Sequence, residues 1–216
     1  MNSKAIKLGL CTVAFSLLTL GASAQTDTEH SNANVRLGQK ALLDGDFKSA
    51  AAALQKALPA EAKDPNVLYM LGYSQFQTGD FTNASESFEK VVALDPTNGT
   101  AYYYKAKASN NLAINMPTKL MISKREQLLK SAIVDYSKAI TLNPQDVKLY
   151  QNRALAHRDL AILVGTAGAS NYSKAAATEA YNLAITDFEK VLTFDNSRKD
   201  INTEIKKSKV YRDNLK

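Results

Sequence analysis

The sequence predicts an all-α protein, an α-solenoid of stacked helix-turn-helix repeats closed by a C-terminal capping helix. Three observations carry that prediction. The chain repeats itself every 34 residues: Leu37-Gly38 returns as Leu71-Gly72, Gly45-Asp46-Phe47 as Gly79-Asp80-Phe81, and Ala50 as Ala84. Inside each interval the apolar residues fall at helical spacing in two separate stretches. The composition, 45% hydrophobic and 22% charged with 9 Gly, 5 Pro and one Cys in 216 residues, supplies a packed core. It excludes wholesale disorder, collagen and a disulfide-stapled scaffold.

The first element is an address rather than part of the fold. Lys4 and Lys7 precede an apolar run from Leu8 to Leu20 and the small-residue stretch Ala22-Ser23-Ala24. A basic start, a short apolar run and an Ala-x-Ala ending form a secretory signal peptide, with cleavage expected after Ala24. The run is shorter than the roughly 20 residues that span a bilayer. Cys11 follows Leu10 rather than a small residue, which argues against lipid attachment. Cleavage removes this only cysteine, so the exported chain has no disulfide, thiolate nucleophile or thiolate metal ligand. A secreted or periplasmic location is expected, with a flexible tail over residues 25–30.

Repeat 1 (31–64) and repeat 2 (65–98) have the plain period. In repeat 2, Leu68, Leu71, Gly72 and Gln75 share one helical face, and Ala84, Phe88, Val91 and Val92 form the stripe of an amphipathic second helix. Asp80 is placed to cap that helix and Asp95-Pro96 to close it. Gly72 and Ala84 sit where the two helices cross, and Phe88 fills the space these small residues leave. Repeat 1 is a weaker copy, with Asn34 at one apolar position and Ala62 where the closing proline would stand.

Repeat 3 (99–146) and repeat 4 (147–196) match each other. Asp135-Tyr136-Ser137-Lys138 answers Asp187-Phe188-Glu189-Lys190, Lys105-Ala106 answers Arg153-Ala154, and Leu112-Ala113-Ile114 answers Leu160-Ala161-Ile162. Both carry insertions between their helices, which are expected to lengthen helices as well as loops. The first insertion contains Asn115-Met116-Pro117, and Ser123-Lys124-Arg125-Glu126 reads as a capping box for the next helix. The second contains the Gly165–Asn171 turn. The cap (197–216) is expected to start at Ser197 and Asp200 and to turn Ile201, Ile205 and Val210 inward behind a Lys-rich outer face.

Leu68, Leu71, Gly72, Gly79, Phe81, Ala84, Phe88 and Pro96 together resemble the tetratricopeptide repeat, although Leu68 replaces the usual Trp and Gln75 the usual Tyr. The resemblance implies a right-handed superhelix whose first helices line a concave wall, and a non-catalytic scaffold docking a protein or peptide there. Partner contacts are expected from Tyr69, Tyr73, Tyr103, Tyr104, Lys107 and Lys148: rings supply rigid contact area and cations meet acidic groups. Aromatics that merely pack neighbouring repeats are the competing interpretation. Some members of the family grip a terminal carboxylate with a fixed Lys, Asn and Arg set. Only Lys148 matches it here, with Met70 and Asn152 at the other positions, so that clamp is not expected.

Catalytic and metal chemistry finds little footing. His157 lies two residues before Asp159 with no second histidine beside it, and reads as a packing residue. Gly165-Thr166-Ala167-Gly168 lacks the Lys-Ser/Thr of a phosphate loop, and Glu86 and Glu89 read as solvated charges. No catalytic residue, metal ligand or cofactor is assigned, and the chain is not expected to be an enzyme. Residues 25–98 carry 6 basic and 10 acidic side chains, against 19 and 11 for residues 99–216. The basic C-terminal half opens an alternative, a structural envelope-assembly factor docked by charge. A small-molecule or glycan-fragment binder is a third. Nucleic-acid binding is not expected, because no interleaved basic-aromatic reader motif is present.

Overall fold

Caps spaced along the chain cut it into nine helices among the described residues, which are 30–115 and 121–216 of this computed structural model. The leader, the tail up to residue 29, and Met116-Pro117 of the first insertion lie outside the described residues. In order the helices are α1 (Ala33–Leu43), α2 (Phe47–Glu61), α3 (Pro65–Gln77), α4 (Phe81–Leu94), α5 (Gly99–Asn115), α6 (Ile122–Leu142), α7 (Val147–Gly165), α8 (Lys174–Phe194) and α9 (Lys199–Asp213). Short polar side chains start most of them by accepting a free backbone N–H. Asn32, Asp46, Asp64, Asp80, Asp146 and Ser173 act as N-caps for α1, α2, α3, α4, α7 and α8. Gly45 and Gly79, one period apart, take φ of 74° and 80° between the helices of the first two hairpins, a region a side chain disfavours.

Consecutive helices pack as hairpins, α1/α2, α3/α4, α5/α6 and α7/α8, with α9 laid against α8. The first helices also meet in series, α1 with α3, α3 with α5 and α5 with α7, forming a continuous wall within the unit Ser31–Lys216. This is the α-solenoid the sequence predicts. At the crossings, a Cβ on Gly72 would lie 3.1 Å from Ser87 Cβ and 3.2 Å from the Phe88 ring. Ala106 and Ala154 take the corresponding place in hairpins 3 and 4, both fully buried. Leu54, Phe88, Tyr136 and Phe188 fill the opposite position from the second helices, each at most 1% exposed. Burying one such side chain stabilises by about 2–3 kcal/mol.

Helices α1–α4 are 11 to 15 residues long, whereas α5–α8 are 17 to 21. The extra turns build their own layer of core. Ala113, Leu129 and Leu163 pack with Ile122, Leu128 and Leu160, and Ala161, Ala180 and Tyr181 pack with Leu215. The turn after α7 has Gly168 at φ 83°, and is anchored by Ser173 N–H to the Val164 carbonyl (2.7 Å) and by Asn171 Nδ2 to Glu126 Oε2 (2.9 Å).

Three local expectations are corrected. The Ser123-to-Glu126 capping box does not form: α6 begins at Ile122 without a side-chain cap, and Glu126 instead binds Asn171 and Lys130. Nor do Ser197 and Asp200 cap α9. Ser197 bonds to Asp195 and Asp200 pairs with Arg198, so the helix starts uncapped at Lys199. Val210 points outward at 55% exposure, because the buried stripe Ile201, Ile205 continues through Ser208 at helical spacing. Among the described residues no helix is long and apolar enough to cross a membrane.

Candidate protein-docking site

Helical spacing places Tyr69, Tyr73 and Phe76 on one face of α3, at i, i+4 and i+7. Across the junction between hairpins 2 and 3, α5 brings Tyr104 into the middle of that face. Its ring stacks on Phe88 (centroids 5.5 Å, 15°) and meets Tyr69, Tyr73 and Phe76 edge-on at 6.2, 5.4 and 5.5 Å. Tyr103 lies edge-on to Tyr104 at 5.0 Å and reaches Tyr136 at 6.1 Å. Phe47 extends the cluster from Tyr73, and Phe81 from Phe76. Edge-to-face pairs of this kind add about 0.5–1.5 kcal/mol beyond area burial and hold each ring in place.

The four expected tyrosines therefore come together, half-buried, and they do two things at once. Tyr69 and Tyr104 pack the hairpin junction, and burial raises both phenols, Tyr104 to about 12. Their hydroxyls, with those of Tyr73 and Tyr103, make no hydrogen bond among the described residues and are not sealed from water. Lys107 joins the cluster, its ammonium 5.4 Å from the Phe76 centroid and 5.6 Å from that of Tyr103. Lys148 stands apart, exposed in the first turn of α7, where its backbone N–H meets Asp146. Asn152 turns back on its own helix, donating from Nδ2 to the Lys148 carbonyl (2.8 Å).

Sequence reasoning did not assign Phe47, Phe76 and Phe81 to this cluster. Phe47 and Phe81 stand one period apart at the first position of α2 and α4, and that repetition was the available signal. It also passed over a row of ion pairs beneath the wall. Lys105 bridges Glu89 and Asp135, the latter at 3.2 Å, while Arg153 grips both oxygens of Asp187 (2.7 and 2.8 Å) and donates to Ser137 (2.9 Å). Burial pulls the Lys105 ammonium down, but its two carboxylates outweigh this and leave it raised. Burial raises Asp135 too, whose Oδ2 has no partner. Farther along, Arg158 ties α7 to α9 through Glu204 (2.6 Å) and also meets Asp159 (3.0 Å).

The family model for anaphase-promoting complex, cyclosome, subunit 3 matches residues 44–114. Comparison with curated protein sequences yields no match. Among solved structures, the MamA RS-1 ArsTM double mutant is 21% identical with a TM-score of 0.61, over 84% of each chain. A crystal structure of MamA protein is 23% identical, with a TM-score of 0.52 over 83% of this chain and 90% of that one. The MamA MSR-1 C2 structure is 17% identical, with a TM-score of 0.52 over 73% and 76%. These likenesses extend the shared helical fold over most of the chain. Its 34-residue period, its helical hairpins and the small-residue crossings that join them give this chain an α-solenoid fold similar to that of these structures, with residues 44–114 matching the family model.

Proposed function

We propose that the chain is an exported, non-catalytic scaffold that docks a peptide or protein segment on the wall of its first helices. The observation that carries this reading is the aromatic cluster at the α3–α5 junction. It is half-buried, fixed by its own ring contacts, and presents four tyrosine hydroxyls that have no partner among the described residues. A surface ordered before its ligand arrives loses little side-chain freedom on binding, so more of the contact energy appears as affinity. Export rests on the leader: Lys4, Lys7, the Leu8–Leu20 run and Ala22-Ser23-Ala24. Affinity capture from an envelope extract tests the reading, with a Tyr73→Ala/Tyr103→Ala variant beside the native chain. A specific protein retained by the native chain and lost with the variant supports the site; equal retention by both overturns it. Tyr104 is left intact, because its stacking on Phe88 makes it part of the hairpin junction.

A second reading, docking through the basic C-terminal half, is favoured by the exposed Lys199, Lys206 and Lys207 on α9. Salt separates the two: contact through rings survives moderate ionic strength, whereas charge-driven docking weakens as screening shortens to about 8 Å at physiological salt.

A further inference from the structure

The cations of α5 and α7 divide by their partners. Lys105, Arg153 and Arg158 are each matched by carboxylates. Lys148 has no carboxylate partner among the described residues, but it is exposed and solvated. Lys107 also has no carboxylate partner there, yet it is half-buried, lying over Phe76 and Tyr103. Rings attract an ammonium through their quadrupole but carry no net charge. The positive charge of Lys107 is thus held in place, partly shielded from water and uncompensated, where attraction for an opposite charge exceeds its value in bulk solvent.

Resting on the docking reading above, we infer that the docked segment is acidic. It sets an Asp or Glu side chain against the Lys107 ammonium and, within a residue or two, an apolar or aromatic side chain on the Tyr73, Phe76 and Phe81 rings. A lone ammonium suits a single carboxylate; the planar fork that an arginine offers a phosphate is absent here, since Arg153 and Arg158 are already engaged. Lys107, rather than Lys148, is the residue that reads the charge.

A displayed library of random seven-residue peptides, panned on the purified full chain and on variants whose helical melts match it, tests this. The expected result is enrichment of Asp or Glu within two positions of Phe, Leu, Ile or Met. Lys107→Glu should replace that acidic preference with Lys or Arg, and Lys107→Met should keep the apolar preference and lose the acidic one. For one enriched peptide on the native chain, exchanging its Asp for Asn should weaken binding about fivefold or more, as loss of a partly desolvated ion pair does. That measurement needs no variant protein. Enrichment that depends on Tyr73 but shows no acidic preference, or an acidic preference unchanged by Lys107→Glu, overturns the inference and leaves the docking site standing. Enrichment no different from that of Tyr73→Ala/Tyr103→Ala overturns the site itself.

Discussion

At position 72 the absence of a side chain sets how closely α3 approaches α4. A methyl group there would press on Ser87 Cβ at 3.1 Å and on the buried Phe88 ring at 3.2 Å. Gly72→Ala should cost about 1–3 kcal/mol by overpacking and Phe88→Ala about 3–5 kcal/mol by cavity formation, both read from urea unfolding. A neutral Phe88→Ala would mean the repeat register is wrong. His157 makes a different residue-scale prediction. It is 8% exposed with Nδ1 unpartnered, and burial holds its pKa at about 4, against 6.5 for an ordinary histidine. As pH falls, the unfolded chain takes up this proton before the folded one does. The stabilisation is therefore complete above pH 6.5 and is lost progressively down to about pH 4, to a total of roughly 3 kcal/mol. His157→Leu should flatten that part of the stability–pH profile; an unchanged slope would assign it to another group.

Among elements, hairpins 3 and 4 share a buried carboxylate with a cation opposite, at a position where hairpins 1 and 2 carry no charged side chain. The position before the large core residue (Leu54, Phe88, Tyr136 or Phe188) is Ala53 and Ser87 in the first two hairpins, but Asp135 and Asp187 in the last two, with Lys105 and Arg153 opposite. Arg153 also reaches Ser137, so one guanidinium joins α6, α7 and α8. Arg153→Met leaves Asp187 buried and unpaired and should cost about 3 kcal/mol or more, whereas Arg153→Met with Asp187→Leu should recover most of that loss. Thermal melts of the two variants check this, and a double variant no more stable than the single one would show that the pair contributes more than an apolar contact could.

Position in the stack decides what the whole molecule does with a repeated residue. Leu37 and Leu71 stand one period apart, yet Leu71 is 1% exposed and Leu37 is 58% exposed. Leu71 is covered by Val35, Leu54 and Ala57 of the hairpin before it, while no described hairpin precedes α1. Leu71→Glu buries a charge and should unfold the N-terminal hairpins or cost more than about 3 kcal/mol. Leu37→Glu should stay within about 0.5 kcal/mol. Comparing the two urea midpoints tests whether exposure at the end of the stack, rather than residue type, sets the cost.

What could be read from the sequence was whatever repeats or alternates along the chain. The 34-residue period, the Gly72 crossing with Ala84 and Phe88, the Asp80 cap and the lengthening of the later helices all follow from local spacing and sterics. The gathering of Tyr69, Tyr73, Tyr103 and Tyr104 was legible as well, because adjacent first helices bring matching faces together. Contacts across the stack were not legible. Phe47, Phe76 and Phe81 entered the cluster, Lys148 fell outside it, and Glu126 chose Asn171 over a capping role, because each depends on which helix lies opposite. Val210 turned outward because the face that α8 covers is set by packing and continues through Ser208. Periodicity gives each helix its apolar side; only the tertiary structure selects the neighbour that side meets, and with it which cation remains without a counter-charge.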